Sequence, residues 1–367
     1  MSRWIFEDYR LPPASLGVYR ILFGIYVLFV LSPGHGSSTR FQHLASFPDA
    51  FYYPPFGPMR LLSGFPTELF FEALVLALNL SAVALLIGYR TRWASVTTGA
   101  LLFVGFGYLY SLGKINHNIL VLIIPFAMAV TGWGARYSWD ALRRDAGAST
   151  VRVRVWPITL VSLCVGFSMF ASGMNKLLTG WLDPSAQAVQ GHLHRLYYVS
   201  GSQDLLAPFF LNLDTHFFWE SLDYSTVALE VGFLAACFHP TMFRLFCGIA
   251  VLFHFGVAVM MNIIFTSNLV AYGLFVNWNR FEVWRIAPRL KPNISEGWKG
   301  EALAGAIVAS MGTGFYLFGS PFLWMETTEI FTSDMGAAEI LLIIGALGVV
   351  VAAAALWGRD RFLTYDP

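Results

Sequence analysis

The sequence predicts an all-α fold: a polytopic integral membrane helix bundle of about ten transmembrane helices, with both termini cytoplasmic. Three observations predict it. The 367 residues are 56% hydrophobic and only 12% charged, with mean hydropathy +0.60, whereas an average soluble domain is roughly 25% charged. So few charges cannot cover a water-facing surface. The apolar residues gather into runs close to the ~20 residues that a helix needs to cross a hydrocarbon core of roughly 30 Å. Lys and Arg fall in alternate connections between those runs, the pattern of cytoplasmic loops.

Ten runs qualify, at about 15–32, 67–88, 93–112, 116–133, 155–178, 222–239, 245–262, 263–279, 301–319 and 336–357. The fourth and eighth are short, and the seventh and eighth abut at Asn262, where a re-entrant hairpin is the alternative to two crossings. The first run carries Arg20 and lacks a small-residue cleavage site, so it reads as a retained span and not a secretory signal. With the N terminus inside, the inner segments hold Arg3 and Arg10, then Arg90 and Arg92, and then the cluster from Arg136 to Arg154. Further along they hold Arg244, the group from Arg280 to Lys299, and finally Arg359 and Arg361. That is most of the 23 basic residues; the outer side keeps Arg40, Arg60, Lys114, Lys176 and Arg195. The two longest connections, about 33–66 and 179–221, both lie outside and are rich in aromatics and proline. Loops of this length are often functional or lie as interfacial segments over the bundle.

A formal net charge of +1 excludes the concentrated basic surface that nucleic acid requires. The three cysteines, Cys164, Cys237 and Cys247, sit in apolar runs and read as small packed hydrophobes, with no zinc spacing and no metal expected. Ionisable groups inside membrane helices cost on the order of 2.5–3.5 kcal/mol at mid-depth, which makes them site candidates. Lys176 ends the fifth run, roughly 30 Å from its inner boundary at 1.5 Å per residue, and therefore reaches the outer interface. His117 opens the fourth run on the same side, flanked by Asn116 and Asn118. Glu230 and His254 lie nearer mid-depth in the sixth and seventh runs.

Each has a plainer reading. An interfacial lysine is commonly a snorkelling anchor, and His117 can cap its helix. Glu230 and His254 can satisfy each other as a structural polar pair. The chemical reading is that desolvation disfavours the Lys176 ammonium and frees an amine to act as a general base near neutral pH. His117 would then donate a hydrogen bond to the oxyanion left on an amphipathic, lipid-soluble substrate.

Several segments together resemble the membrane domain of vitamin K-dependent gamma-glutamyl carboxylase and its bacterial relatives, the horizontally transferred transmembrane domain (HTTM) proteins. The opening stretch from Pro13 to Gly24 resembles the family's first helix. Gly88-Tyr89-Arg90 resembles its second inner turn, and Asn116-His117 followed by Arg136-Tyr137-Ser138-Trp139-Asp140 resembles its fourth helix and exit. Gly173, Asn175-Lys176-Leu177 and Trp181 look like its Gly-x-Lys-Lys-Leu-x-x-x-Trp segment with Asn175 replacing the first lysine, and Phe253-His254 looks like a later Phe-His. The likeness runs over roughly residues 12–280.

The resemblance implies an enzyme that deprotonates and oxygenates a reduced vitamin K or menaquinone-like quinol, with O2 and CO2 as co-substrates. It assigns Lys176 as the base and His117 as the partner of the quinone oxygens. Asn116, Asn175, Trp181, His254 and Glu230 become candidate cofactor-binding positions. The carboxylase-like domain is expected over 1–285, with two additional C-terminal helices in 286–367. No counterpart of the animal enzyme's large luminal domain is expected, and oxidation of a membrane quinol is the part of the chemistry expected to persist. Any acceptor would be a peptide or protein at the outer face. The expected location is a bacterial inner membrane, with the site toward the outer leaflet. The alternatives are a non-catalytic maturation or export partner for a secreted peptide and, third, a transporter.

Overall fold

The computed structural model describes residues 2–31, 41–55, 57–113, 115, 118–143, 153–281 and 298–318. Among these the regular elements are helices. They are α1 (Pro13–Tyr26, prolonged by a π turn Val27–Leu31), α2 (Glu68–Ile87), α3 (Thr91–Tyr110), α4 (Ile119–Met128), α5 (Trp139–Leu142) and α6 (Trp156–Leu178). There follow α7 (Ala188–Val199), α8 (Ala207–Leu211), α9 (His216–Ala236), α10 (Pro240–Met261), α11 (Thr266–Gly273) and α12 (Trp298–Phe318). Among the described residues five helices are long and apolar enough to cross a membrane: Pro13–Leu31, Glu68–Ile87, Thr91–Tyr110, Trp156–Leu178 and Pro240–Met261. The protein is an integral membrane protein.

The helices depart from the expected runs in three places. Among the described residues the fourth run, 116–133, holds the ten helical residues of α4, which pass through Pro125 and give way to tight turns straight after Met128. At 1.5 Å per residue α4 is about 15 Å long, half a crossing. The eighth run, 263–279, contributes the eight residues of α11 and then a 3-10 turn at Trp278–Arg280. Asn262 takes the left-handed conformation (φ 55°) and stops α10, so a backbone break separates runs seven and eight. The sixth run begins earlier than expected, at His216, and α9 carries Glu220, Asp223 and Glu230 along its length. The tenth run, 336–357, lies outside the described residues.

The described residues group into two units, the first comprising 2–161 with 270–318 and the second 162–269. In the first unit α2 and α3 form an antiparallel hairpin through Gly88-Tyr89-Arg90. Its turn is fixed by Asp140, whose carboxylate accepts from the Arg90 N–H (2.9 Å), the Thr91 N–H (2.7 Å) and the Thr91 hydroxyl (2.7 Å). A carboxylate here satisfies otherwise orphaned donors at the N-terminus of α3 and complements its dipole. Beside it Arg20 of α1 is fully buried and donates to the carbonyls of Leu86, Trp133, Arg136 and Tyr137. Leu86 lies in the last turn of α2, so the guanidinium meets the negative end of that helix. This carbonyl cage explains how a charge survives in the first span. α12 packs along α2, and Glu301 at its start is held by the Tyr89 hydroxyl (2.5 Å) and the Arg90 and Arg143 guanidinium groups. From the first long connection, Tyr53 pairs its backbone with α3 through Ser111, and Phe41 packs edge-on against Phe106.

In the second unit the connection 179–221 is largely folded. α7, α8, α9 and α10 share a core of Val189, Leu193, Ala207, Trp219, Met260 and Met261. Complete burial of a residue such as Leu193 contributes roughly 1.5–3 kcal/mol toward holding the two short helices down. The Leu206 N–H also bonds to Val259 of α10 at 3.0 Å.

Candidate functional site

The site candidate is built where α6 ends beside α9. α6 closes with Gly180 in the left-handed region (φ 80°), the Gly180 N–H bonding to the Leu177 carbonyl (3.4 Å) and the Trp181 N–H to the Lys176 carbonyl (3.1 Å). This is a Schellman closure, which folds the residue after the glycine back over the last turn. The residue so placed is Trp181, and its ring centre lies 5.1 Å from Lys176 Nζ. A non-glycine residue at 180 would strain that turn. One turn earlier Gly173 faces α9, where a β-carbon would lie 2.9 Å from both Glu230 Cβ and the Val231 backbone nitrogen. Only a residue without a side chain lets the two helices approach this closely.

That approach brings Glu230 to Lys176. The Nζ donates to Glu230 Oε2 at 2.6 Å, to Glu230 Oε1 at 2.7 Å and to Ser172 Oγ at 2.9 Å. The side chains are 17% and 6% exposed. The two carboxylate oxygens lie on one side of the ammonium, Ser172 Oγ on another, and the indole face is a further contact. A buried ion pair needs such partners, because desolvating each ion costs several kcal/mol.

The sequence therefore placed two candidates together without anticipating that they would meet. Glu230 takes Lys176 as a partner. Lys176, read from the sequence as a desolvated base, has a carboxylate bound to its Nζ. His254 lies on α10, buried, with its ring stacked on Phe265 at 4.5 Å. Asn175 is exposed, and its carbonyl accepts from the Thr179 hydroxyl at 2.9 Å. Asn116 and His117 lie outside the described residues.

Two participants escaped the sequence reading. Ser172 lies four residues before Lys176, one turn away on the same face of α6, and that spacing alone would have flagged it. Asp223 lies seven residues before Glu230 on α9, is fully buried, and accepts the backbone N–H groups of Ala188 (2.9 Å) and Val189 (2.8 Å). It anchors the N-terminus of α7. Trp181 packs against the α7–α10 core, so the same indole touches both the lysine and the folded outer connection.

Comparison with known proteins bears on these residues. The model of the HTTM domain matches residues 9–279. The chain belongs to the HTTM family. No curated protein and no solved structure gives a match. The HTTM match begins just before α1 and ends within the turn at Trp278–Arg280, and α12 lies beyond it. Within the HTTM region several of the segments that carried the resemblance fall into two groups. Arg20, Gly88 to Arg90 and Arg136 to Asp140 build the carbonyl cage and the capped α2–α3 turn of the first unit. Gly173, Lys176 and Trp181 build the ion-pair site of the second.

Proposed function

We propose that this HTTM protein is a membrane enzyme of the vitamin K-dependent carboxylase-like type. In this reading the Lys176–Glu230 pair removes the proton from a lipid-soluble quinol so that O2 can oxidise it. The observation that carries the reading is the pair itself: oppositely charged groups, nearly shielded from water, at the end of a helix assigned to the outer face. Shielding makes each charge act strongly on a bound oxygen, and the adjoining Trp181 offers an aromatic surface for a ring. These residues suit a planar, weakly acidic hydroxyl compound of the reduced vitamin K or menaquinone class, which we treat as a consumed substrate. His117, with Asn116, is assigned by resemblance to the quinone oxygens. CO2 and a peptide or protein acceptor at the outer face would serve a coupled carboxylation. The location that suits this reading is a bacterial inner membrane with the site toward the outer leaflet.

The test is purified protein in lipid nanodiscs, given reduced menaquinone and oxygen, with quinone and epoxide products measured. Activity is expected in the native protein. Lys176→Ala is expected to lower it by about 100-fold or more, the usual scale for loss of acid–base catalysis. No turnover in the native protein, or equal turnover in the variant, overturns the reading.

A second reading, a non-catalytic maturation partner for a secreted peptide, is supported by the folded connection 179–221. Tyr198, Val199, Phe209 and Phe217 are all exposed there. Under this reading, changes at those four positions abolish function while Lys176→Ala leaves it intact.

A further inference from the structure

We infer that the folded connection between α6 and α9 is a lipid-binding surface. In it α8 and the C-terminal end of α7 are seated among the phospholipids of the leaflet that the C-terminal ends of α6 and α10 reach. The exposed face that the second reading gives to a peptide is thereby given to lipid. Contact with lipid here is independent of what Lys176 does, so its test is separate from that of the quinol reading.

Depth follows from the two long helices of this unit. At 1.5 Å per residue, Val259 lies about 29 Å along α10 from Pro240, and Lys176 about 30 Å along α6 from Trp156. Each length is close to the roughly 30 Å of a hydrocarbon core, so both helices end at one interface. α8 is fastened at that level. The Leu206 N–H bonds to the Val259 carbonyl at 3.0 Å, and Ala207 shares a core with Met260 and Met261. Leu205 takes the left-handed conformation (φ 57°), which is rare for a bulky side chain, and the turn it makes sets the start of α8 against α10. At the end of α6, Leu178 is 80% exposed, so the apolar outer surface of the span continues into the connection.

The side chains say what covers this surface. Residues 205–213 carry no charge and are bracketed by Asp204 and Asp214. Within them Ala207 and Phe210 turn to the core, whereas Leu206 and Phe209 stay exposed, Phe209 at 63%. α7 divides in the same way: Val189 and Leu193 enter the core, and Arg195, Tyr198 and Val199 are exposed. Arg195 comes first and the phenol and aliphatic chain follow within one turn. That is the order met by a helix dipping from the headgroup phosphates, through the aromatic belt, toward the acyl chains. A guanidinium suits a phosphate, and its stem can lie along apolar surface. Charged ends around an uncharged middle, at the depth of the interface, fit a phospholipid layer without any further partner.

The test uses the full chain in nanodiscs of phosphatidylcholine and phosphatidylglycerol. A nitroxide is attached in turn at Phe209→Cys, Tyr198→Cys, Leu252→Cys and Ser185→Cys, with the unsubstituted protein as the labelling blank. All four positions are exposed, and Leu252 on α10 serves as the lipid standard and Ser185 as the water standard. Collisions with oxygen, which concentrates in lipid, are compared with collisions with a water-soluble nickel chelate. The oxygen-to-nickel ratio at 209 and 198 is expected to match that at 252 and to exceed that at 185 several-fold. Ratios at 209 and 198 equal to that at 185 overturn the inference and leave the surface to a peptide. The unsubstituted protein supplies a second measurement, with a phosphatidylcholine that carries a diazirine near the ester end of one acyl chain. After photolysis, lipid adducts are expected within residues 196–213 as well as on α6 and α10. Adducts confined to the long helices overturn the inference, whether or not the labelled variants fold.

Discussion

Arg20 and Lys176 are two cations on membrane helices, and they are stabilised in opposite ways. Arg20 is surrounded by carbonyl dipoles and has a structural task, whereas Lys176 faces a carboxylate, a hydroxyl and an indole. Replacing Arg20 by alanine removes the donor from one buried and three partly buried carbonyls, and a buried carbonyl left without a donor costs about 1–3 kcal/mol. The expected result is a marked fall in melting temperature in detergent, with lysine rescuing only part, since its three donors cannot span the fork that the guanidinium occupies. A melting temperature unchanged by Arg20→Ala would contradict the cage. Sequence reading found both cations from their positions but not their partners. The carbonyls that receive Arg20 lie more than a hundred residues away in the chain, apart from Leu86.

Among the elements, α6 and α9 carry the site, and their separation is set by Gly173. Gly173→Ala places a methyl 2.9 Å from backbone and side-chain atoms of α9, which forces the helices apart at a cost of about 1–3 kcal/mol. Turnover should fall by about tenfold or more because Lys176 and Glu230 are drawn apart, while Gly191, with open space around it, should tolerate the same change. Asp223 makes a second prediction at this scale. Without its carboxylate the N-terminus of α7 loses two charge-assisted bonds, and Asp223→Ala should lower stability by about 1–3 kcal/mol. Limited proteolysis should then cut within residues 200–206, between α7 and α8, faster than in the native protein; equal rates would contradict the anchor. The long helices were legible from apolar run length. The fourth and eighth runs were legible as short and their junction at Asn262 as doubtful, but not where α4 and α11 begin and end, because apolar run length does not reveal the turns after Met128 or the left-handed Asn262. The helices α7 and α8 were hidden for a different reason: their helical stretches are short and buried on one side only, so they resemble an aromatic-rich loop.

For the whole molecule, the composition and the alternation of basic residues carried the membrane assignment, and the HTTM match covers most of the chain. The orientation drawn from the alternation can be checked by chemical labelling. Ser185→Cys, in the connection after α6, should react with a membrane-impermeant maleimide added outside intact cells, and Arg92→Cys, at the start of α3, should react only after lysis. The reverse pattern would move the Lys176 site to the inner face. The candidate site was legible as a set of residues, from the rule that ionisable groups in membrane helices need a reason. Its geometry was not, since nothing in a linear pattern states that the face of α6 bearing Gly173 meets the face of α9 bearing Glu230.

The account depends on Lys176 and Glu230 acting as one unit, and a double-variant cycle on quinol turnover measures this most directly. With Lys176→Ala, Glu230→Ala and the two combined, each single change is expected to remove about 100-fold of activity. The combined change should remove no more than either alone, as for residues that serve one step together. Losses that multiply to about 10,000-fold in the combined variant would mean two independent contributions, and would contradict the account.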